Sequence, residues 1–270
     1  MSTPAVTAPT PPRSGALGRG VRASLPAVVF AAAVVGTWQL AVQVLEVPSF
    51  ILPSPAAIVA VVPTELPRVL SASWLTVQAT VIGLAVGVAW GVALALVVAR
   101  FRTLSAPLLA VAVVCNSAPI VALAPIFNNW LGVTSIASKA AVGAVMAFFP
   151  VFVNVTRGLT SASALHLDVL HAAAASPRQV ARLVRLPTAL PYLFSALKLA
   201  ATLAVIGVIV TEYFGGPQNT LGVYIANQAA LPRFAEAWVG IAVASALGFV
   251  LFAAVVVAER LALPWQPNRD

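Results

Sequence analysis

Long apolar runs alternate with short polar breaks along this chain. Six segments, at about 26–45, 75–99, 106–126, 136–156, 189–213 and 237–258, meet or approach the length of a membrane span. A helix rises 1.5 Å per residue, so about 20 apolar residues cross a hydrocarbon core about 30 Å thick. Lipid offers no partner to a free amide or carbonyl, so each run is predicted as a helix. The third run is interrupted by Asn116, Pro119 and Pro125, and the fourth by Lys139 and Pro150. Proline is tolerated in a span where neighbouring helices satisfy the freed carbonyls. Gly83, Gly87 and Gly91 recur at every fourth position of the second run, a face that lets another helix come close.

The breaks between runs carry the basic residues unevenly. With the N-terminus in the cytoplasm, the inside segments hold Arg13, Arg19, Arg22, Arg100, Arg102, Arg157, Arg178, Arg182, Arg185, Arg260 and Arg269. The outside segments hold only Arg68, Arg233 and, at the mouth of the fourth run, Lys139. Lys and Arg concentrate on the cytoplasmic side of such proteins, so both termini are predicted to be cytoplasmic. Lys198, within the fifth run, lies near enough to its cytoplasmic end to snorkel. Outside, residues 46–74 begin with Pro48-Ser49 and Pro53-Ser54-Pro55, and 214–236 with the turn signal Gly215-Gly216-Pro217. Both are long enough to form surface structure. The expected layout is a disordered cytoplasmic segment 1–24, one transmembrane domain 25–263 with a cytoplasmic loop at about 157–188, and a cytoplasmic tail 264–270.

Composition sharpens this picture. Of 270 residues, 61% are hydrophobic and 8% charged, with a mean hydropathy of +1.00. A soluble domain carries roughly 25% charged residues, so the solvent here is lipid. The formal charge of +8 would suggest nucleic acid in a soluble protein; in a membrane protein it reports cytoplasmic loops and anionic lipid, and no nucleic acid is expected. The single cysteine, Cys115, excludes an intrachain disulfide and a cysteine metal cluster, and reads as a small buried hydrophobe. Arg13, Arg19 and Arg22 precede an apolar stretch of spanning length with no small-residue cleavage site at its end. That arrangement predicts a retained first helix rather than a removed signal peptide.

The longest inside loop has a pattern that the spans lack. Residues 165–175, LHLDVLHAAAA, are strong helix formers. Ser176-Pro177-Arg178-Gln179 then reads as a new helix start, with Ser at N-cap, Pro at N1 and Gln at N3 in a capping box. Arg178, Arg182 and Arg185 form one face of this helix, and Val180, Leu183 and Val184 an apolar stripe. Leu186-Pro187 is expected to stop it. Two short helices with a tight bend should thus project from the membrane on the cytoplasmic side; the lesser alternative is a solvated loop whose arginines touch lipid headgroups. Spans flank the pair too closely for a DNA-reading helix-turn-helix.

The stretch DVLHAAAASPRQVARLVRLP, Asp168 to Pro187, resembles the EAA loop of binding-protein-dependent ABC importer permeases. Asp168 stands at the family's Glu position and Ala174 at its Gly position, while Ala175-Ser176 and Leu186-Pro187 match. Asp168 is one methylene shorter than Glu, and Ala174 lacks the freedom of Gly at positive φ, so the bend is expected at the Ser176-Pro177 cap. ILPSPAAI (51–58), LPTALPYLFSALKLA (186–200) and VIGVIVTEYFGG (205–216) are similar to the nitrate/sulfonate/taurine branch. The resemblance implies an all-α integral membrane protein with about six transmembrane helices and the type I ABC importer permease fold. It also implies two permease copies, cytoplasmic ABC ATPase subunits, an extracytoplasmic solute-binding protein and residence in the cytoplasmic membrane. By the same resemblance Asp168, Ala174, Ala175, Ser176, Arg182, Leu183, Leu186 and Pro187 would couple to the ATPase. The cargo would be a sulfonate-, taurine- or nitrate-like anion, with thiamine-precursor pyrimidines and riboflavin served by close relatives.

Other positions carry two readings each. Asp168 also serves as an acid near a helix N-terminus. Glu212, in TEYFG, is a functional candidate as an ionisable group in a span, or an interfacial cap. Asn116 and Ser117 line the pathway or bond to a neighbouring helix. His166 and His171, five apart, share no helix face and are not expected to bind metal. No HExxH, GxSxG or GxxxxGK[ST] pattern occurs, so no catalytic residue, cofactor or metal is assigned, and ATP-driven transport would need a separate nucleotide-binding subunit. An ion-coupled secondary transporter is disfavoured by the scarcity of intramembrane ionisable groups, and a membrane enzyme by the missing catalytic clusters. Orientation is tested directly in a Cys115-free background. Single cysteines at Arg100, Ser161 and Asn268 should resist an impermeant thiol reagent in intact cells, and those at Ser54 and Asn219 should react. Labelling at Ser161 from outside would invert the topology.

Overall fold

Helix accounts for every long apolar run in the computed structural model, which describes residues 16–264. The elements are α1 (Ala16–Val44), α2 (Pro55–Arg100), α3 (Ser105–Asn116), α4 (Ile120–Leu131), α5 (Ile136–Thr160), α6 (Ala164–Ala172), α7 (Pro177–Val180), α8 (Leu186–Tyr213), α9 (Leu221–Ala230) and α10 (Phe234–Ala262). A 3-10 turn (Arg102–Leu104) precedes α3 and a π turn (Ala181–Arg185) joins α7 to α8. No strand occurs among the described residues. Five of the described helices are long and apolar enough to cross a membrane, which makes this an all-α, multi-span protein.

Three expectations are revised. Residues 16–24, inside the segment 1–24 expected to be disordered, are helical as part of α1; residues 1–15 and the tail 265–270 lie outside the described residues. The third run is not one helix, because Pro119 disfavours helix at the residue before it and α3 and α4 end and begin on either side of Ser117–Pro119. The second run, expected from about 75, is already helix from Pro55 onward. Ser54 caps that start, its Oγ accepting from the Ala57 amide at 3.2 Å, and Pro55 fills the first position, where no amide hydrogen is needed. The resulting α2 has 46 residues, so at 1.5 Å each it runs roughly 69 Å, about twice a hydrocarbon core.

Contacts divide the chain into two units, residues 1–59 and 60–270. In the first, α1 turns back at Pro48, whose carbonyl accepts from Ile51 at 2.9 Å, and Gln39 Oε1 accepts from the Ala56 amide at 3.1 Å. Val28, Phe30 and Val44 are exposed along α1, as suits a helix bathed in lipid.

In the second unit α5 lies between α2 and α8. Lipid tails are as apolar as the helices, so contact is won by packing rather than by burial from water. The buried face of α2 supplies Gly83, Gly87 and Gly91, as their spacing predicts. A Cβ at Gly83 would sit 2.6 Å from the Ala140 carbonyl, and one at Gly87 2.5 Å from the Ala144 carbonyl. A Cβ at Gly143 of α5 would meet both neighbours, Val208 Cγ2 of α8 at 3.0 Å and Gly83 Cα of α2 at 3.7 Å, and α8 supplies the buried row Ala196, Ala200 and Ala204. Ala147, Val151 and Phe152 of α5 complete the core. Gly87→Val should overpack this contact at a cost of about 1–3 kcal/mol. Gly248→Ala, with nothing within 4 Å of the added carbon, should stay within about 0.5 kcal/mol of the parent. Thermal unfolding of both in detergent checks the contrast.

Candidate functional site

The hairpin between α5 and α8 is built by two local devices in succession. Helix α6 ends at Ala172 with Ala173 as its C-cap, and the next residue, Ala174, sits at φ +51°. The Ala175 amide donates to the Leu170 carbonyl and the Ala174 amide to the His171 carbonyl, both at 2.9 Å. That bond pair is a Schellman motif with alanine in the left-handed position normally held by glycine. The bend therefore falls at Ala174, against the expectation that alanine would not take this conformation. Ser176 then starts α7: its amide donates to Gln179 Oε1 at 2.7 Å, and its Oγ accepts from the Gln179 amide at 3.4 Å. The capping box is present as predicted.

Leu186-Pro187 does not stop the helix. Helices α7 and α8 are continuous from Pro177 to Tyr213, with the π turn inserted where Pro187 would otherwise strike the carbonyl one turn earlier. The Leu186 amide reaches back to the Ala181 carbonyl, and Thr188 Oγ1 donates to the Val184 carbonyl at 2.7 Å. A single wide turn thus absorbs the proline without ending the rod. The apolar stripe is divided by it. Val180 is buried and Val184 half-buried, whereas Leu183 is 61% exposed. Asp168, Arg178 and Arg182 are exposed and Ala175, Arg185 and Pro187 half-buried. Asp168 is the fifth residue of α6, past its first turn, so it does not serve the helix dipole, whose effect fades within one turn. Among the described residues no cluster of His, Cys, Asp and Glu is placed to hold a metal.

At the opposite end of the bundle, a sealed polar network joins five helices. Lys139, the fourth residue of α5, is 1% exposed. Its ammonium donates to Asn128 Oδ1 and Ser138 Oγ, each at 3.0 Å, and to the Val133 carbonyl. Three donors meet three acceptors. Asn128 of α4 donates in turn to the carbonyls of Thr211 at 3.1 Å and Gly215 at 3.2 Å. Glu212 of α8 is also 1% exposed. Its Oε2 accepts from Thr76 of α2 at 3.0 Å and from the Gly222 amide of α9 at 2.9 Å, and the Lys139 charge acts on it electrostatically. Oε1 is buried without a hydrogen-bond partner among the described residues. Thr76 Oγ1 also accepts from the Leu221 amide at 3.0 Å.

Of this network, only Glu212 stands out in the sequence as a functional candidate. Lys139 interrupts the fourth run, Thr76 stands at the start of the second and Asn128 just past the third; that polar groups in lipid must find one another is the signal that links them. Ser117 is exposed and its hydroxyl bonds back to the Val113 carbonyl at 2.9 Å; the side chains of Asn116 and Cys115 lie outside the described residues. Lys198 does not snorkel alone but pairs with Glu259 of α10 at 2.5 Å. Beyond the network, the Tyr224 phenol donates to Glu65 Oε2 at 2.9 Å, and burial, with Glu65 beside it, pushes its pKa above the usual range.

Helices of lipid length packed on small residues, with a capped hairpin between two of them, define a polytopic membrane protein. The chain belongs to the family of binding-protein-dependent transport system inner membrane components, whose family model matches residues 87–262. It has the type I ABC importer permease fold and is the permease subunit of such an importer. It is 31% identical over 240 residues, 86% of this chain and 92% of the relative, to a formylaminopyrimidine transport permease protein of Halalkalibacterium halodurans. A riboflavin transport system permease protein of Chloroflexus aurantiacus is 27% identical over 237 residues, 86% of each chain. A putative aliphatic sulfonates transport permease protein of Bacillus subtilis is 26% identical over 155 residues, 57% of this chain and 55% of its own. The family implies association with an ABC ATPase and a substrate-binding protein.

The alanine at φ +51° gives a direct stability test of the hairpin. A left-handed alanine costs roughly 1–2 kcal/mol relative to its relaxed state, part of which glycine returns through its larger unfolded-state freedom. Ala174→Gly should therefore slow amide exchange across residues 170–176 severalfold while leaving exchange in α5 and α10 unchanged.

Proposed function

We propose that this subunit carries a small sulfonate-, taurine- or nitrate-like anion into the cytoplasm, in a pair of identical copies, with both termini and the α6–α7 hairpin on the cytoplasmic side. The hairpin is the docking element for the ATPase. The observation that carries this assignment is its construction: a Schellman bend and a capping box hold a short, stiff pair of helices that leave Leu165, Val169 and Leu183 uncovered. Large apolar side chains on a rigid support, among exposed arginines, suit a groove on a partner protein better than they suit water. Asp168, Ala174, Ala175 and Ser176 shape the support in this reading. Leu183 and Arg182 meet the partner, and Leu186 and Pro187 pass its movement into α8.

Selection of the cargo falls to the binding protein. Lys139, the buried cation of α5, has all three protons engaged and offers none to a passing anion. The formylaminopyrimidine and riboflavin relatives, which align over 86% of this chain, support a second reading in which the cargo is a small heteroaromatic. Measuring which of taurine, an alkylsulfonate, nitrate, a formylaminopyrimidine or riboflavin the cognate binding protein retains separates the two.

The docking assignment is tested on Leu183. Leu183→Asp would bury an unpaired charge in the groove, a cost of several kcal/mol. The variant should insert normally, yet lose co-purification of the ATPase and at least tenfold of solute uptake per inserted molecule. Arg182→Gln, removing a surface charge worth about 1 kcal/mol or less, should lose under fivefold. Wild-type uptake by Leu183→Asp with the ATPase still bound would remove the hairpin from the coupling role.

A further inference from the structure

Helix α9 begins without a cap of its own. Thr220 stands at the N-cap position but its side chain makes no bond to the helix; its hydroxyl donates instead to the Pro217 carbonyl at 2.9 Å. The first amides of a helix have no partner within it, and here they are satisfied from elsewhere in the bundle. The Leu221 amide donates to Thr76 of α2, and the Gly222 amide to Glu212 of α8. Thr76 and Glu212 also bond to each other. The carboxylate sits where the dipole of α9 favours negative charge. Position 222 must be glycine for this approach, because a Cβ there would lie 2.5 Å from Glu212 Cβ and from the Ile209 carbonyl.

The links are unequal. Two tie α9 to α2, through Thr76 and through the Tyr224–Glu65 bond. Glu212 is the side chain that ties the start of α9 to α8. When α8 shifts against α2, the Thr76–Glu212 bond and the two amide bonds cannot all persist. The second oxygen of Glu212, buried and unpartnered, is a ready acceptor for one of the bonds displaced by such a shift.

We propose that Thr76 and Glu212 are positioning residues that cap α9 in trans, so that α9 changes its attachment whenever α2 and α8 move and thereby transmits binding-protein docking to the bundle. This rests on the function and orientation proposed above, which place α9 on the outer face.

Two measurements test it. In the full chain alone, in lipid nanodiscs, hydrogen exchange at the Leu221 and Gly222 amides should quicken at least tenfold in Thr76→Val and in Glu212→Gln. Thr76→Ser should match the parent, and the amides of α5 should not change. In the reconstituted complex with ATPase and loaded binding protein, Thr76→Val should keep basal ATP hydrolysis within twofold but lose at least fivefold of the stimulation. Thr76→Ser should restore it. Unchanged exchange at 221–222 overturns the cap. Stimulation that survives faster exchange, or that falls only in parallel with basal hydrolysis, overturns the transmitter. If the parent complex is not stimulated by any loaded binding protein, the function proposed above fails, while the exchange result still decides the cap by itself.

Discussion

Close approach of backbones along α5 is the constraint on which this structure depends. In lipid there is little to gain by hiding one apolar helix behind another, so the contact must come from dispersion and from polar atoms within reach. Glycine faces on α2 and an alanine row on α8 bring three helices to within side-chain-free distances of one another. Only at that spacing can Thr76 of α2 reach Glu212 of α8, and Lys139 of α5 lie close enough to act on that carboxylate.

The network at the α9 end follows from that geometry and explains how charge survives there. Truncating one member of a buried ionic group leaves the other uncompensated, which is far more damaging than never having built it. Lys139 answers with three acceptors, and Glu212 with two donors on one oxygen. The Lys198–Glu259 pair near the other end is half-exposed and so faces a milder version of the same demand.

The helical class, the glycine face and the capping box were legible because each rests on short-range rules: run length, fourfold spacing, and a four-residue start signal. The same rules apply at Ser54-Pro55, where a serine cap and a first-turn proline open α2, yet proline-serine pairs also punctuate loops and nothing local separates the two. Leu186-Pro187 misleads for a similar reason. A proline ends a helix only if the chain has no other way to clear the preceding carbonyl, and a π turn is such a way. Ala174 reverses the usual inference from residue to dihedral: two amide bonds over-determine the bend and hold alanine where glycine would be at ease. The network was the least legible part, since its members lie up to 145 residues apart and no spacing rule connects them.

The continuity of the helix from Pro177 to Tyr213 has a mechanical meaning. Its 37 residues make a beam of roughly 55 Å, with the hairpin bolted to one end and Glu212 one residue from the other. A beam does not relay a push through successive rearrangements; it pivots, so a small tilt at one end arrives at the other as displacement in the opposite sense. The π turn is its one widened segment, close to the hairpin end. In the function proposed above, this helix would link the docking hairpin to the Glu212 contacts by stiffness alone, without a wire of side chains between them.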